Sequence, residues 1–202
     1  MSADSLVVLD FETSGMSPDY GDRAIEIGAV RLENGVVVDE FQALMNPGFR
    51  ITGFIEGFTG ITNQMLAKAP SCEEVMAQFA DFLGDSNLLA HNASFDQRFL
   101  DHELKLIRRE YAGAFCCSML VSRRVFQAAP NHKLGTLVDY VNLPVEGQFH
   151  RALYDAQMTA GIWLAMLAKI RADYGCGTIN FSTMQKLSRV SKKQVGKFLA
   201  AI

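Results

Sequence analysis

The stretch LVVLDFETSG, Leu6 to Gly15, decides how the fold is read. Its first six residues are short, apolar and β-branched, and turn-forming residues come after them, so it reads as a buried strand. AIEIGAVRL (Ala24 to Leu32) alternates and reads as a second strand. Asn34-Gly35 is a hairpin signal, and VVVDEFQALM after it reads as a third strand. The chain therefore opens as an antiparallel meander. Further on, NLLAH and AFCCSM are short strand candidates set between helical stretches. Helices are expected at VMAQFADFL, behind the capping-box pair Ser71 and Glu74, and at SFDQRFLDHELKLI, LVSRRVFQ and LGTLVDYV. The longest is LYDAQMTAGIWLAMLAKIRADY, apolar nearly all round and so expected to pack inside the layers. NPGFRITGFIEGFTGIT (Asn46 to Thr62) reads mostly as loop with short turns. This order predicts an α/β fold with a mixed central sheet, an antiparallel meander plus parallel strands, flanked by helices.

The chain has 202 residues, enough for one domain with a small appendage. Hydrophobic residues at 49% and charged residues at 20% exclude a disordered chain. No apolar run is long enough to cross a bilayer, and MSADSLVVLDF has no basic export signal, so a cytoplasmic protein is expected, with no membrane partner. The spacings of Cys72, Cys116, Cys117 and Cys176 suit reduced thiols better than a zinc site. The net charge of −3 is uneven: no acid follows Asp173, and five basic residues, Lys186, Arg189, Lys192, Lys193 and Lys197, do. Residues 1–173 are read as one domain and 174–202 as a basic helical C-terminal extension. Capping-box spacings at Ser182/Gln185 and Ser191/Gln194 predict two short helices there. Such a tail is compatible with a polyanionic partner or with a solvated end of no special role.

Asp10 and Glu12 stand at i and i+2 on the first strand and so share a face. Two carboxylates there repel each other and resist desolvation. A hard divalent cation would compensate them, and so would exposure at a solvated strand end. In AHNASFD, Asp96 falls at the start of a helix, where an acid commonly serves as a cap. In HRALYDA, five residues of helix would turn His150 and Asp155 roughly 140° apart. They converge only if His150 lies on the loop before the helix, which Pro144 and Gly147 favour.

In this order, LDFETSG, AHNASFD and HRALYDA resemble the three motifs of the DEDDh family of 3′–5′ exonucleases. That superfamily includes polymerase proofreading exonucleases of the DNA polymerase III epsilon type and ribonuclease-T-like RNA-trimming enzymes. The likeness spans about Leu6 to Ala168 and leaves out the basic tail. It implies a ribonuclease-H-like fold, two divalent metal ions (Mg²⁺ or Mn²⁺) on Asp10, Glu12, Asp96 and Asp155, and His150 as general base. Such a pair of metals neutralises the phosphodiester and activates water, and a histidine with an ordinary pKa of about 6.5 can take the proton. FTGIT resembles the family segment on the terminal nucleotide, giving Phe58 and Thr59 as substrate contacts. Thr13, Asn92 and Phe95 match positions near the nucleotide. His91 is expected to be structural, and Lys133, in NHKLGTL, to be an exposed lysine or a phosphate contact. Ser14 stands where the family often has threonine, a departure that touches none of the five catalytic positions.

The implied function is a metal-dependent 3′–5′ exonuclease that acts on single-stranded 3′ ends of nucleic acid, DNA favoured, and releases nucleoside 5′-monophosphates. A polymerase or repair protein is the expected partner. The alternatives are a 3′–5′ exoribonuclease or oligoribonuclease of the same chemistry, and a non-catalytic nucleic-acid- or polymerase-binding subunit.

Overall fold

The computed structural model describes residues 1–144 and 150–202. Strands β1 (Leu6–Thr13), β2 (Ala24–Glu33), β3 (Val36–Leu44), β4 (Leu88–Ala90) and β5 (Phe115–Cys117) form a sheet ordered β3-β2-β1-β4-β5. The β1–β2 and β2–β3 pairs are antiparallel, and the β1–β4 and β4–β5 pairs parallel. The sheet is thus mixed, as expected of a ribonuclease-H-like α/β fold. Asn34 and Gly35 both adopt positive φ, 51° and 80°, which gives the turn the twist of the strands it joins.

The helices in chain order are α1 (Gly53–Thr59), α2 (Asn63–Leu66), α3 (Cys72–Leu83), α4 (Ser94–Leu106), α5 (Ser118–Val125), α6 (Leu134–Tyr140), α7 (Ala152–Tyr174), α8 (Phe181–Leu187) and α9 (Val195–Leu199). The two-residue period of β1 divides its side chains between two cores. Val7, Leu9 and Phe11 join Val75, Phe79, Phe99 and Leu104 of α3 and α4. Leu6 and Val8 join Trp163 and Met166 of α7, with α5, α6 and α8 around them. By the same parity Asp10 and Glu12 lie on the α7 side, where that face changes from apolar to acidic.

Three expectations need correction. Asn46–Thr62 is loop over most of its length, as expected, but holds an unexpected helix, α1: Thr52 accepts a hydrogen bond from its first turn, Gly60 ends it at φ 72°, and Thr62 caps the α2 that follows. Helices of seven and four residues are too short to show a period. The α8 helix begins at Phe181 behind Asn180, so Ser182 sits inside it and caps nothing. At Ser191 a 3-10 turn (Lys192–Gln194) comes before α9, and the Ser191 hydroxyl donates to Gln194 Oε1, not to a capping position.

The basic tail is stitched to the body. Ala3 N donates to Ile179 O at 2.8 Å, and Phe181 N to Met1 O at 3.1 Å. Phe181 packs on the fully buried Trp163, whose indole N–H donates to Ala3 O. No helix among the described residues is long and apolar enough to cross a membrane.

Candidate active site

Asp10 and Glu12 end the central strand, where the β1–β2 register slips between Glu12 and Thr13. A slip there bends the strand and re-aims the side chains beyond it. Pairing of β1 with β4 covers Val7 and Val8 only, so the Phe11 amide lies beyond that ladder. It donates to Asp96 Oδ1 at 3.2 Å. Asp96, placed by its sequence in a first helical turn, therefore reaches across to β1 and caps nothing; α4 has no side-chain cap. Asn92, just before α4, takes a left-handed φ of 69° that turns the chain into the helix.

His150 lies off α7, which begins at Ala152. Its φ is 65°, and its backbone N–H donates to Asp155 Oδ2 at 3.1 Å. The convergence that regular helical geometry forbids is thus achieved by a left-handed residue ahead of the helix. Gly147, which carried part of the loop expectation, falls outside the described residues.

The start of α7 is fixed by a residue that the motifs did not reveal. Glu26, fully buried on β2, accepts from Arg151 Nη2 at 2.7 Å and Nε at 3.1 Å, from Ala152 N at 3.2 Å and from Gln42 at 2.9 Å. Two residues on, Gly28 lets the helix touch the sheet: a Cβ there would lie 2.0 Å from Leu153 N. An acid in phase with Gly28, Val30 and Leu32 of an otherwise apolar strand face was the sequence signal for Glu26.

Asp10, Glu12, Asp96, Asp155 and His150 line one cleft of about 730 Å³. Thr13, Phe58, Thr59, Asn92 and Phe95 line it too, so all ten singled-out positions meet. They differ in what they offer. Phe58 is 51% exposed, lies parallel to Phe54 at 6.1 Å and touches the His150 ring at 4.2 Å. Asn92 is exposed. The buried Thr59 hydroxyl is committed to α1, donating to Ile55 O and accepting from Ile61 N. Thr13 donates to Gly15 O at 2.7 Å. His91 is structural: its Nε2–H donates to His132 O, Nδ1 accepts from Ser118, and burial pushes its pKa down to about 4.

The carboxylates perturb one another. Burial raises Asp10 well above its ordinary pKa, reinforced by Asp96, Asp155 and Glu12. Burial, then Asp155, Glu26 and Asp96, push Glu12 up to about 8. Burial takes Asp96 to about 7 against the Phe11 amide, and Asp155 to about 6 against the His150 amide. Glu12, His150 and Asp155 bring possible ligand atoms within 4.8 Å of one another. Asp155 Oδ1 is buried and has no hydrogen-bond partner among the described residues. An oxygen left so costs about 1–3 kcal/mol, which a cation would recover. The hard, mutually repelling donor set fits a divalent ion of the Mg²⁺ or Mn²⁺ kind.

A mixed sheet with an acid-lined cleft at the end of its central strand places the chain in the ribonuclease-H-like α/β class. Comparison with known proteins narrows the class. A family model described as exonuclease (RNase_T) matches residues 7–163, and the chain belongs to that family. It is 38% identical over 165 residues to the PolC-type DNA polymerase III of Caldanaerobacter subterraneus subsp. tengcongensis, a match covering 82% of this chain and 12% of that protein. It is 31% identical over 186 residues to the DNA polymerase III subunit epsilon of Aquifex aeolicus, covering 92% and 90%. Exonuclease X in complex with 5′-overhanging duplex DNA superposes with a TM-score of 0.70 at 26% identity, over 91% of this chain and 99% of that one. The nuclease domain of 3′hExo, a DEDDh family member bound to rAMP, gives a TM-score of 0.69 over 82% and 92% of the two chains; at 22% identity it shares the fold.

Proposed function

We propose that the chain is a metal-dependent 3′–5′ exonuclease that releases nucleoside 5′-monophosphates, with single-stranded DNA as its favoured substrate. The observation that carries this reading is the meeting of four carboxylates and His150 in one cleft with a half-exposed aromatic wall. Asp10, Glu12, Asp96 and Asp155 would hold two divalent ions, which when bound neutralise the phosphodiester and lower the pKa of water. His150, off the helix and exposed at the cleft, would take the proton of the attacking water. Phe58 offers its ring to the terminal base, a stack that accepts any sequence. Asn92 and Phe95 border the same nucleotide. Thr13 and Thr59, whose hydroxyls are engaged within the chain, contribute shape more than hydrogen bonds.

DNA is favoured because the relatives above 30% identity are parts of DNA polymerases, which also suggests a polymerase as partner. A 3′–5′ exoribonuclease is the second reading, since the rAMP-bound nuclease domain has the same fold. We assign the chemistry to residues 1–173 and treat 174–202 as an extension docked on them. Asp10→Ala should abolish cleavage of single-stranded DNA in Mg²⁺ or Mn²⁺ while the circular-dichroism spectrum stays unchanged. Undiminished hydrolysis by that variant would rule the reading out, and matched DNA and RNA oligomers separate the two substrates.

A further inference from the structure

The two longest stretches of the chain without aspartate or glutamate are residues 111–138 and residues 174–202. The first carries Arg123, Arg124 and Lys133, and the second carries the five basic residues of the tail. They are distant in sequence, and the fold joins them. Arg124 Nε donates to Val190 O at 3.0 Å, and Gln127 Nε2 to Lys192 O at 3.3 Å. Arg123 and Lys192 both stand near His132, adding to the burial that lowers its pKa. The side chains of Arg123, Lys133, Arg189, Lys192 and Lys193 are exposed, and none has a carboxylate partner among the described residues.

This basic face adjoins the cleft at two places. His91 of the cleft wall bonds His132 O, and Leu134, beside Lys133, lines the cleft. A smaller groove of about 230 Å³ is lined both by Ala93 and Ser94, which follow Asn92 of the cleft in sequence, and by Leu120, Ser188 and Arg189. The rest of the molecule is acidic, so a polyanion is repelled elsewhere and drawn to this face.

We infer that the basic face formed by α5, the segment before α6 and the tail carries the phosphate backbone of the strand whose 3′ end lies in the cleft. The inference rests on the proposed nuclease reading for the direction of the strand. Each phosphate neutralised there releases counterions, so binding should weaken steeply with salt, with a log–log slope of about −0.7 per contact for a single strand.

The test combines Arg123→Gln, Arg189→Gln, Lys192→Gln and Lys193→Gln in the full chain. All four side chains are exposed, so the melting temperature should not move. Fluorescence anisotropy with a single-stranded DNA of about 20 nucleotides, in chelator, should show affinity at low salt falling about tenfold or more and the salt slope shrinking by up to roughly three. Hydrolysis of the p-nitrophenyl ester of thymidine 5′-monophosphate, too short to reach the face, should be unchanged. An unaltered affinity and slope would overturn the inference, and so would an equal loss on ester and oligomer. If the parent chain hydrolyses neither substrate, the nuclease reading fails and the anisotropy alone decides the face.

Discussion

Glu12 and Glu26 face each other in the β1–β2 register, and both are buried, yet they lead different chemical lives. Glu26 is closed by the chain itself: the Arg151 guanidinium, the Ala152 amide and Gln42 satisfy its oxygens. Glu12 faces other acids across a cleft, has no ion pair among the described residues, and has its pKa pushed up to about 8. An acid answered by the chain's own cation belongs to the architecture. An acid surrounded by acids is, on the proposed reading, one that would take a cation from outside. The largest effect expected from this contrast is on activity. Glu12→Gln keeps shape and removes charge, and should lower kcat/KM at least about 10³-fold, about 4 kcal/mol. Above about pH 8, where Glu12 ionises even without metal, the variant's melting temperature in chelator should hold or rise, because one repelling carboxylate has gone. A variant that melts early and still cleaves would reverse the contrast.

The converse substitution, Glu26→Gln, should act on stability. It leaves the Arg151 charge without its partner at the base of α7. Arg151 is partly exposed, so the loss belongs at the low end for broken buried pairs, about 3 kcal/mol. Thermal denaturation should show a drop of roughly 6–12 °C. The kcat should fall only in part, because the α7 start loosens while the His150 and Asp155 side chains remain. Full activity at full stability would remove Glu26 from the account.

The same contrast predicts how pH and metal act together. The cleft carboxyls have raised pKa values in the folded chain, about 6 for Asp155, 7 for Asp96 and 8 for Glu12, so the folded state binds more protons than the unfolded one. Without metal, their contribution is fullest at acidic pH and is lost as pH rises from about 4 through these values. A divalent ion offsets that loss. At a hundredfold excess over its Kd it adds about 2.7 kcal/mol. Calorimetric melting should therefore show a larger gain from Mg²⁺ at pH 8 than at pH 5. Equal gains at both would place the ion somewhere other than these acids.

The sequence was legible where a period or a motif ran long enough. The alternation of Leu6, Val8, Asp10 and Glu12 placed both acids on one face, and Asn34-Gly35 marked its turn. The incompatibility of His150 and Asp155 with one regular helix correctly put His150 outside α7. The hidden features depended on contacts between distant segments. Nothing local tells that Asp96 will bond the Phe11 amide, or that Glu26 will meet Arg151, 125 residues later. The α1 and α2 helices escaped notice because glycines at 53, 57 and 60 read as loop, while the Thr52 and Thr62 caps that start these helices are single residues. The tail's charge was visible, but its union with Arg123 and Arg124 required the fold.

The smallest effect separates two neighbours on α1. Phe58 is half exposed beside His150, whereas Thr59 is buried and bonded at both ends of its hydroxyl to the helix and its exit. Phe58→Ala should leave melting nearly unchanged and raise KM for single-stranded DNA by roughly five- to thirtyfold, about 1–2 kcal/mol of lost base stacking. Phe58→Tyr keeps a stacking ring and should restore most of that KM. Thr59→Val should do the opposite, costing about 1 kcal/mol of stability through the lost hydrogen bonds while KM stays within twofold. If Thr59→Val raised KM and spared stability, the hydroxyl would be serving the nucleotide and not the helix. The division of labour between these two adjacent side chains would then have to be reversed.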